Sequence, residues 1–310
     1  MRVLVVCKYK EGLPNYAAPF VLEQMYALQA SGVDCRLFLV KGEGVSGYLR
    51  QLKPLKAMVS DFGSDVIHAH FGLCGLLATL QRQVPVVTTF HGSDINNCWT
   101  LPLSRIAMRR SAWSVFVSRQ TLERAKPKNH FSLMPCGVDF NELQSTGKTE
   151  AKQKMNLDQK KRYVLFAGAF DNTVKNAELA REAVALLNDP LVELLELKGY
   201  SREEVIFLMC AADVLLMTSL SEGSPQVIKE ALACGCPIVS VDVGDVQDRI
   251  DGVEGSYLAQ TRDPKGIASL LEKALSFEGK TNGRKKLLKD GLENSIIANN
   301  LIKIYKSIIK

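Results

Sequence analysis

Short apolar runs rich in β-branched residues recur along this chain, with helix-length segments between them. In the first half they lie at 3–7, 35–40, 66–70, 86–90, 114–118 and 132–134, and a helical stretch such as 20–30 closes at Gly32, as helices commonly do. Runs that are apolar throughout, instead of alternating, suit strands covered on both faces, and the helices between them supply the crossovers of a parallel sheet. A polar, lysine-rich interval, "LQSTGKTEAKQKMNLDQKKR", interrupts the pattern, which then restarts with strands at 163–170, 191–197, 213–219 and 236–242 and helices at 176–187 and 202–211. At 310 residues there is room for two domains of ordinary size. The expected α/β architecture is therefore two Rossmann-like parallel-sheet domains, 1–145 and 146–293, facing a central cleft lined by the carboxyl ends of both sheets, where such folds bind ligands. The last segment, 294–310, reads as an amphipathic helix with Ile297, Leu301, Tyr305 and Ile308 on one stripe.

Composition excludes several classes. Hydrophobic residues at 46% and charged residues at 23% give the balance of a soluble globular protein. The opening "MRVLVVCKYK" is too short an apolar run for a secretory signal, and no stretch reaches the ~20 apolar residues of a membrane span. Eight cysteines, none in a C-x-x-C pair, suit reduced thiols in a cytosolic protein better than a disulfide framework or zinc site. Cys234 and Cys236 flank a glycine, either as a redox pair or as small residues at a helix end. His68 and His70 alternate on one strand near Asp65, which allows a ligand pair or one ring lining the cleft while the other packs. The net charge of +6 is matched by a local excess: from Arg105 to Lys128 there are seven basic residues and one acid. Without a recognition module and with few aromatics, nucleic acid is a poor fit. Anionic lipid headgroups, a phosphorylated acceptor or plain solvation of a helix face remain.

The most informative stretch is "SLSEGSPQVIKEALACGCPIVS". Ser224 and Pro225 form a helix start, serine as cap and proline at the first helical position, and Gly235 marks the end. Glu222 then lies in the turn after the strand at 213–219. Glu230 lies five residues beyond Pro225, about 7.5 Å along the axis. The start of a helix presents N–H groups and a positive dipole end suited to phosphate. Ionised carboxylates only accept hydrogen bonds and so suit hydroxyl-rich groups on either side of a diphosphate. A nucleotide-sugar meets both demands.

At these residues the chain resembles the family 4 glycosyltransferases, a group 1 family with the two-domain GT-B fold and an E-x7-E signature, in its stretch "EGSPQVIKEALACGCPIV". "TFHGSD", "PCGVDFNEL", "LKGYSREEVIFLMCAADVLLMTS" and the terminal "IIANNLIKIYKSI" are similar to further segments of that family. The resemblance implies an acceptor-binding first domain, onto which helix 294–310 packs back, and a donor-binding second one. It implies a hexosyltransferase that works with retention of anomeric configuration and no bound metal. There is no resident cofactor, since the nucleotide-diphosphate-sugar is a substrate. Glu222 would contact the donor sugar's hydroxyls and Glu230 the ribose. Gly223, Ser224, Pro225 and Gln226 would bring sugar and phosphates to the helix start. Gly168 and Lys175 would hold the diphosphate, and the Leu197 backbone the base. His91 would touch the transferred sugar near the acceptor; with Lys175 and Glu222 it completes the catalytic set. The acceptor would be a glycan or lipid-linked hydroxyl in surface polysaccharide or glycoconjugate synthesis. The location would be cytoplasmic, with peripheral contact at the inner membrane face through the basic stretch.

Three departures stand out. Ala169 occupies the place where the family usually has a diphosphate-binding arginine, the loop "KEGLPNYAAPF" lacks the paired glycines of relatives, and the stretch from Leu187 to Gly199 is short. The missing arginine keeps a catalytically weak nucleotide-sugar-binding subunit in view, and a GT-B epimerase on the same donor is the other alternative. A dinucleotide oxidoreductase is poorly supported, because no G-x-G-x-x-G follows either first strand.

Overall fold

A computed structural model of the chain describes residues 1–42, 44–128, 130–143 and 146–309. The chain divides into two compact units, Met1–Gly137 with Leu292–Lys310, and Val138–Gly291. The break therefore falls at Gly137, ahead of the expected 145. The reason is local: the Arg284 guanidinium, in the second unit, donates to the carbonyl oxygens of Phe140 at 2.8 Å and Leu143 at 2.7 Å. The return falls at Leu292 instead of 294.

The first unit holds a six-stranded parallel sheet of β1 (Arg2–Lys8), β2 (Asp34–Val40), β3 (Val66–His70), β4 (Val86–Phe90), β5 (Trp113–Phe116) and β6 (Phe131–Leu133), in the order β2-β1-β3-β4-β5-β6. β5 stops short of the expected 118 because the Ser118 hydroxyl turns to accept from the Thr121 N–H and cap the helix Arg119–Ala125. Leu4, Val6, Ile67 and Ala69 fill one face of the sheet together with Leu55, Val59 and Leu77. The helix Asn294–Ile308 packs against the helix Pro19–Ala30. Its buried stripe is Ile297, Ala298, Leu301, Ile304 and Tyr305, with Ile308 only half-buried. The Tyr305 hydroxyl, fully buried, lies 2.6 Å from His68 Nδ1.

The second unit has five parallel strands, β7 (Arg162–Phe166), β8 (Val192–Glu196), β9 (Val214–Met217), β10 (Ile238–Val241) and β11 (Tyr257–Ala259), ordered β11-β10-β9-β7-β8. In each sheet the first strand sits between the second and the third, so the strand order reverses beside β1 and beside β7. The crevice beyond the carboxyl ends at such a reversal is where open α/β sheets take ligands. Among the described residues no helix is long and apolar enough to cross a membrane.

Candidate functional site

In the second unit the reversal lies between β7 and β9, and the loops leaving these strands are laced together. The Thr218 hydroxyl donates to the carbonyl oxygens of Lys175 at 3.0 Å and Asn176 at 2.9 Å, while the Leu220 N–H donates to Val174 O at 2.8 Å. Lys175 then runs back across Gly168, so closely that a Cβ there would lie 2.8 Å from Lys175 Cγ. Its Nζ donates to Glu222 Oε1 at 2.7 Å. Both side chains remain partly open, 21% and 17% exposed, so the pair borders solvent at the strand ends. The lysine and the glutamate expected from the sequence thus meet, and their direct pairing is what sequence reading did not foresee.

The helix after this turn is Gln226–Cys234, with Pro225 as its N-cap residue and no side chain capping its start. This corrects the expectation for Ser224. Its hydroxyl donates to Asp245 Oδ2 at 2.8 Å and accepts from Lys229 Nζ at 3.2 Å instead of capping the helix. Asp245 is also paired with Arg249, Nε to Oδ2 at 3.2 Å. Burial pushes the Asp245 carboxyl up from its usual range, against the opposing pull of Lys229 and Arg249. Gly244 packs against the same turn: with φ at 62°, a Cβ on it would come within 2.5 Å of Gly223 O.

Glu230 is buried and accepts from Arg202 Nη1 at 2.6 Å. Arg202 also reaches Glu142, Nε to Oε1 at 3.4 Å. Leu197 lies just beyond β8, and its N–H donates to Gly168 O at 2.9 Å. Gly168, Lys175, Glu222, Gly223, Ser224, Pro225 and Gln226 therefore stand at the carboxyl edge of one sheet. Glu230 sits one turn into the helix, and Leu197 is tied to Gly168. Sequence reading missed Arg202, Lys229 and Asp245. Arg202 and Asp245 act through partners 28 and 21 residues away and Lys229 through Ser224, five residues back, and only the surplus of charge in a buried helix hinted at Lys229.

The first unit carries its own cluster at the ends of β3 and β4. His91 Nε2 lies 3.0 Å from His70 Nδ1, and the two rings stack at 5.2 Å. The rings of Phe20 and Phe71 stand 4.8 and 4.7 Å from that of His91. Cys136 Sγ is 3.9 Å from His91 Nδ1. Phe71 has φ at 72°, a strained value for a bulky residue of the kind found at ligand sites. Asp94 fastens the turn, accepting from the N–H groups of Gly72, His91 and Gly92 at 2.9, 3.1 and 3.0 Å, and burial raises its carboxyl to about 6 despite them.

Both His68 and His70 are buried, so neither lines a cleft directly, contrary to the expected division of roles. His68 Nε2 bonds Thr89 Oγ1 at 2.7 Å, and His70 Nδ1 lies 3.0 Å from the half-buried His91. Burial lowers His68 to about 3 and His70 well below its ordinary value, which keeps both rings neutral. Among the described residues no group of three or more His, Cys, Asp or Glu could hold a metal ion. Of the eight cysteines seven are buried and Cys98 is exposed. At the amino end of β5 a cavity of about 220 Å³ is ringed by Arg105, Arg109, Lys126 and Lys128 over a floor that includes Met108 and Ala125.

Comparison with known proteins bears on the family and the fold. A family model described as Glycosyltransferase Family 4 matches residues 6–142, and one described as Glycosyl transferases group 1 matches residues 190–276. The chain is 25% identical over 271 residues to the putative teichuronic acid biosynthesis glycosyltransferase TuaC of Bacillus subtilis, covering 76% of this chain and 69% of that protein. It is 27% identical over 252 residues to the amylovoran biosynthesis glycosyltransferase AmsK of Erwinia amylovora, covering 68% of this chain and 61% of that protein. Among solved structures, sucrose-phosphate synthase from Thermosynechococcus elongatus superimposes with a TM-score of 0.83 at 17% identity, covering 99% of this chain and 98% of the other. Anabaena HepE in complex with UDP gives 0.75 at 14%, covering 99% and 100%. At those identities the likeness to the solved structures is one of fold.

Proposed function

The chain belongs to the group 1 and family 4 glycosyltransferases, with the GT-B fold, and from that premise we propose that it moves a sugar from a nucleotide-diphosphate-sugar to an acceptor hydroxyl. The observation that carries this reading is the Lys175–Glu222 pair, 2.7 Å apart beside the uncapped start of the helix Gln226–Cys234. A donor diphosphate placed there meets an ammonium, the dipole of the helix and backbone N–H groups of the turn. The sugar beyond it meets the Glu222 carboxylate. On the nucleoside side, Glu230 accepts from the ribose hydroxyls with lone pairs beyond those that Arg202 uses. Because the Leu197 N–H is taken by Gly168, a backbone contact to the base runs through the Leu197 carbonyl oxygen.

The reaction assigned to this site is transfer with retention, without a bound metal. As the bond from the anomeric carbon to the diphosphate oxygen breaks, charge builds on the leaving group, and Lys175 with the helix start stabilises it; preorganised groups of this kind contribute several kcal/mol. The anomeric carbon gains oxocarbenium character. The acceptor oxygen bonds to it from the face the diphosphate leaves, and the acceptor proton passes to the departing phosphate oxygen. Glu222 orients the donor and is not a nucleophile. On the acceptor side the reading assigns His91 to the transferred sugar, its ring held between Phe20, Phe71 and His70.

TuaC and AmsK are named for teichuronic acid and amylovoran synthesis, which supports a glycan or lipid-linked acceptor in surface polysaccharide assembly. The cation-ringed cavity at Arg105, Arg109, Lys126 and Lys128 supports peripheral contact with an anionic membrane at its cytoplasmic face. Salt-reversible sedimentation with phosphatidylglycerol vesicles is expected, and absence from them at low salt would contradict that contact.

The test of function is nucleoside diphosphate release by the purified chain from UDP-, GDP- and ADP-sugars, with and without glycan acceptors. Release is expected from one of these donors, and Glu222→Gln at saturating donor should lower turnover by two orders of magnitude or more. Binding without release would make the chain a donor-binding subunit, and conversion to an epimeric nucleotide-sugar without acceptor would make it an epimerase.

A further inference from the structure

Lys229 is the least expected side chain in the second unit. It is 0% exposed on the helix Gln226–Cys234, and its Nζ donates to the hydroxyl of Ser224, which in turn donates to the buried Asp245. Folding gains little from burying such charges, which can commonly be replaced by apolar groups of similar size at no net loss of stability. The turn it grips is the one that leads from Glu222 into the helix. Three further observations bear on what it does there. Ser224 is held by these two residues, and the N-cap position, Pro225, carries no side-chain cap bond. Lys175 already faces the Glu222 carboxylate at 2.7 Å, Arg262 Nη2 bonds the Ser219 carbonyl oxygen at 3.2 Å, and Ala169 stands beside Gly168 in the turn after β7. Finally, Gly244, next to Asp245, packs so closely on the Gly223 carbonyl that a Cβ there would lie 2.5 Å from its oxygen, which holds the Asp245 loop against the turn.

We propose that Lys229 and Asp245 are positioning residues for the donor diphosphate: the pair fixes the Ser224 turn in its phosphate-receiving shape and places a buried positive charge beneath it. This rests on the donor reading given above. Neither residue touches the donor. Asp245 orients the serine hydroxyl from one side and Lys229 from the other, and an ammonium shielded from water acts on a nearby phosphate with little screening. The role is specific to the phosphates, because the nucleoside lies farther along, toward Glu230 and Leu197.

The test is calorimetric titration of the full chain with UDP, GDP and ADP and with uridine, guanosine and adenosine. The first variant is Lys229→Met with Asp245→Asn, which removes both charges together while Arg249 keeps Asp290 as its partner at 2.9 Å. The second is Ser224→Ala, which keeps the charges and cuts their link to the turn; it reads the same quantity if the double variant does not fold. The third is the conservative Lys229→Arg. With the diphosphate that the unaltered chain binds, the first two are expected to weaken binding at least tenfold while changing affinity for the matching nucleoside less than twofold, and Lys229→Arg to stay within threefold. Unchanged diphosphate affinity in the folded variants, or a parallel loss for diphosphate and nucleoside, would overturn the proposal and leave the donor reading standing. Failure of the unaltered chain to bind any of the three diphosphates would overturn both.

Discussion

At the scale of single residues, the chemistry of the chain is decided by which charges are buried and what they face. His68 is the simplest case, a ring locked between Thr89 and Tyr305 and lowered by burial to about 3. Between that value and the ordinary 6.5, the unfolded chain binds a proton that the folded chain refuses. Stability is therefore fully present above about 6.5 and falls as the pH drops through that window, by about 1.4 kcal/mol per pH unit for this one ring. Chemical denaturation at pH 7, 6 and 5 is expected to show the decline, and His68→Gln to lessen its slope, with the buried His70 supplying the remainder. A variant with an unaltered slope would mean that other groups control acid sensitivity. Glu222 and Lys175, in contrast, are only partly buried, as fits groups that exchange each other for a ligand.

At the scale of elements, two glycines show how the loops at the strand ends are packed and how differently they should respond to alanine. Gly168 makes room for the aliphatic stem of Lys175, whereas Gly244 has φ at 62° and faces a backbone carbonyl. Gly168→Ala is expected to displace Lys175 from Glu222, lowering turnover more than tenfold with little change in melting temperature. Gly244→Ala has no flexible neighbour to push aside and should cost about 1–3 kcal/mol of stability. The reverse pattern would mean that the packing of these loops is misread. Much of this level was legible in the amino-acid order. Short apolar runs rich in β-branched residues located ten of the eleven strands among the described residues, because such runs suit strands covered on both faces. β11 escaped notice because three residues, Tyr257–Ala259, carry no pattern of their own. Ser224 was misread for a different reason. A serine before a proline is a good cap locally, but its hydroxyl bonds Asp245, 21 residues away, and local preference does not register a long-range partner. The burial of Lys229 and the Arg202–Glu230 pair are hidden from sequence on the same ground.

At the scale of the whole molecule, each unit repeats one device, a parallel sheet whose strand order reverses beside its first strand. The second unit places Gly168, Lys175 and Glu222 at that reversal, and the first places His70, Phe71 and His91 at the ends of β3, which borders it, and of the neighbouring β4. The chain reaches both from a single sequence by crossing between the units at Gly137 and at Leu292. A nucleoside diphosphate at 100 times its Kd should stabilise the folded chain by about 2.7 kcal/mol, which makes binding measurable before any acceptor is known. Where that ligand sits is the more searching question. The measurement that addresses it most directly is a crystal structure of the chain with the nucleoside diphosphate it binds. The expected density places the diphosphate oxygens within hydrogen-bond reach of Lys175 Nζ and of backbone N–H groups between Gly223 and Gln226. Density for the diphosphate away from the β7 and β9 strand ends would contradict the account.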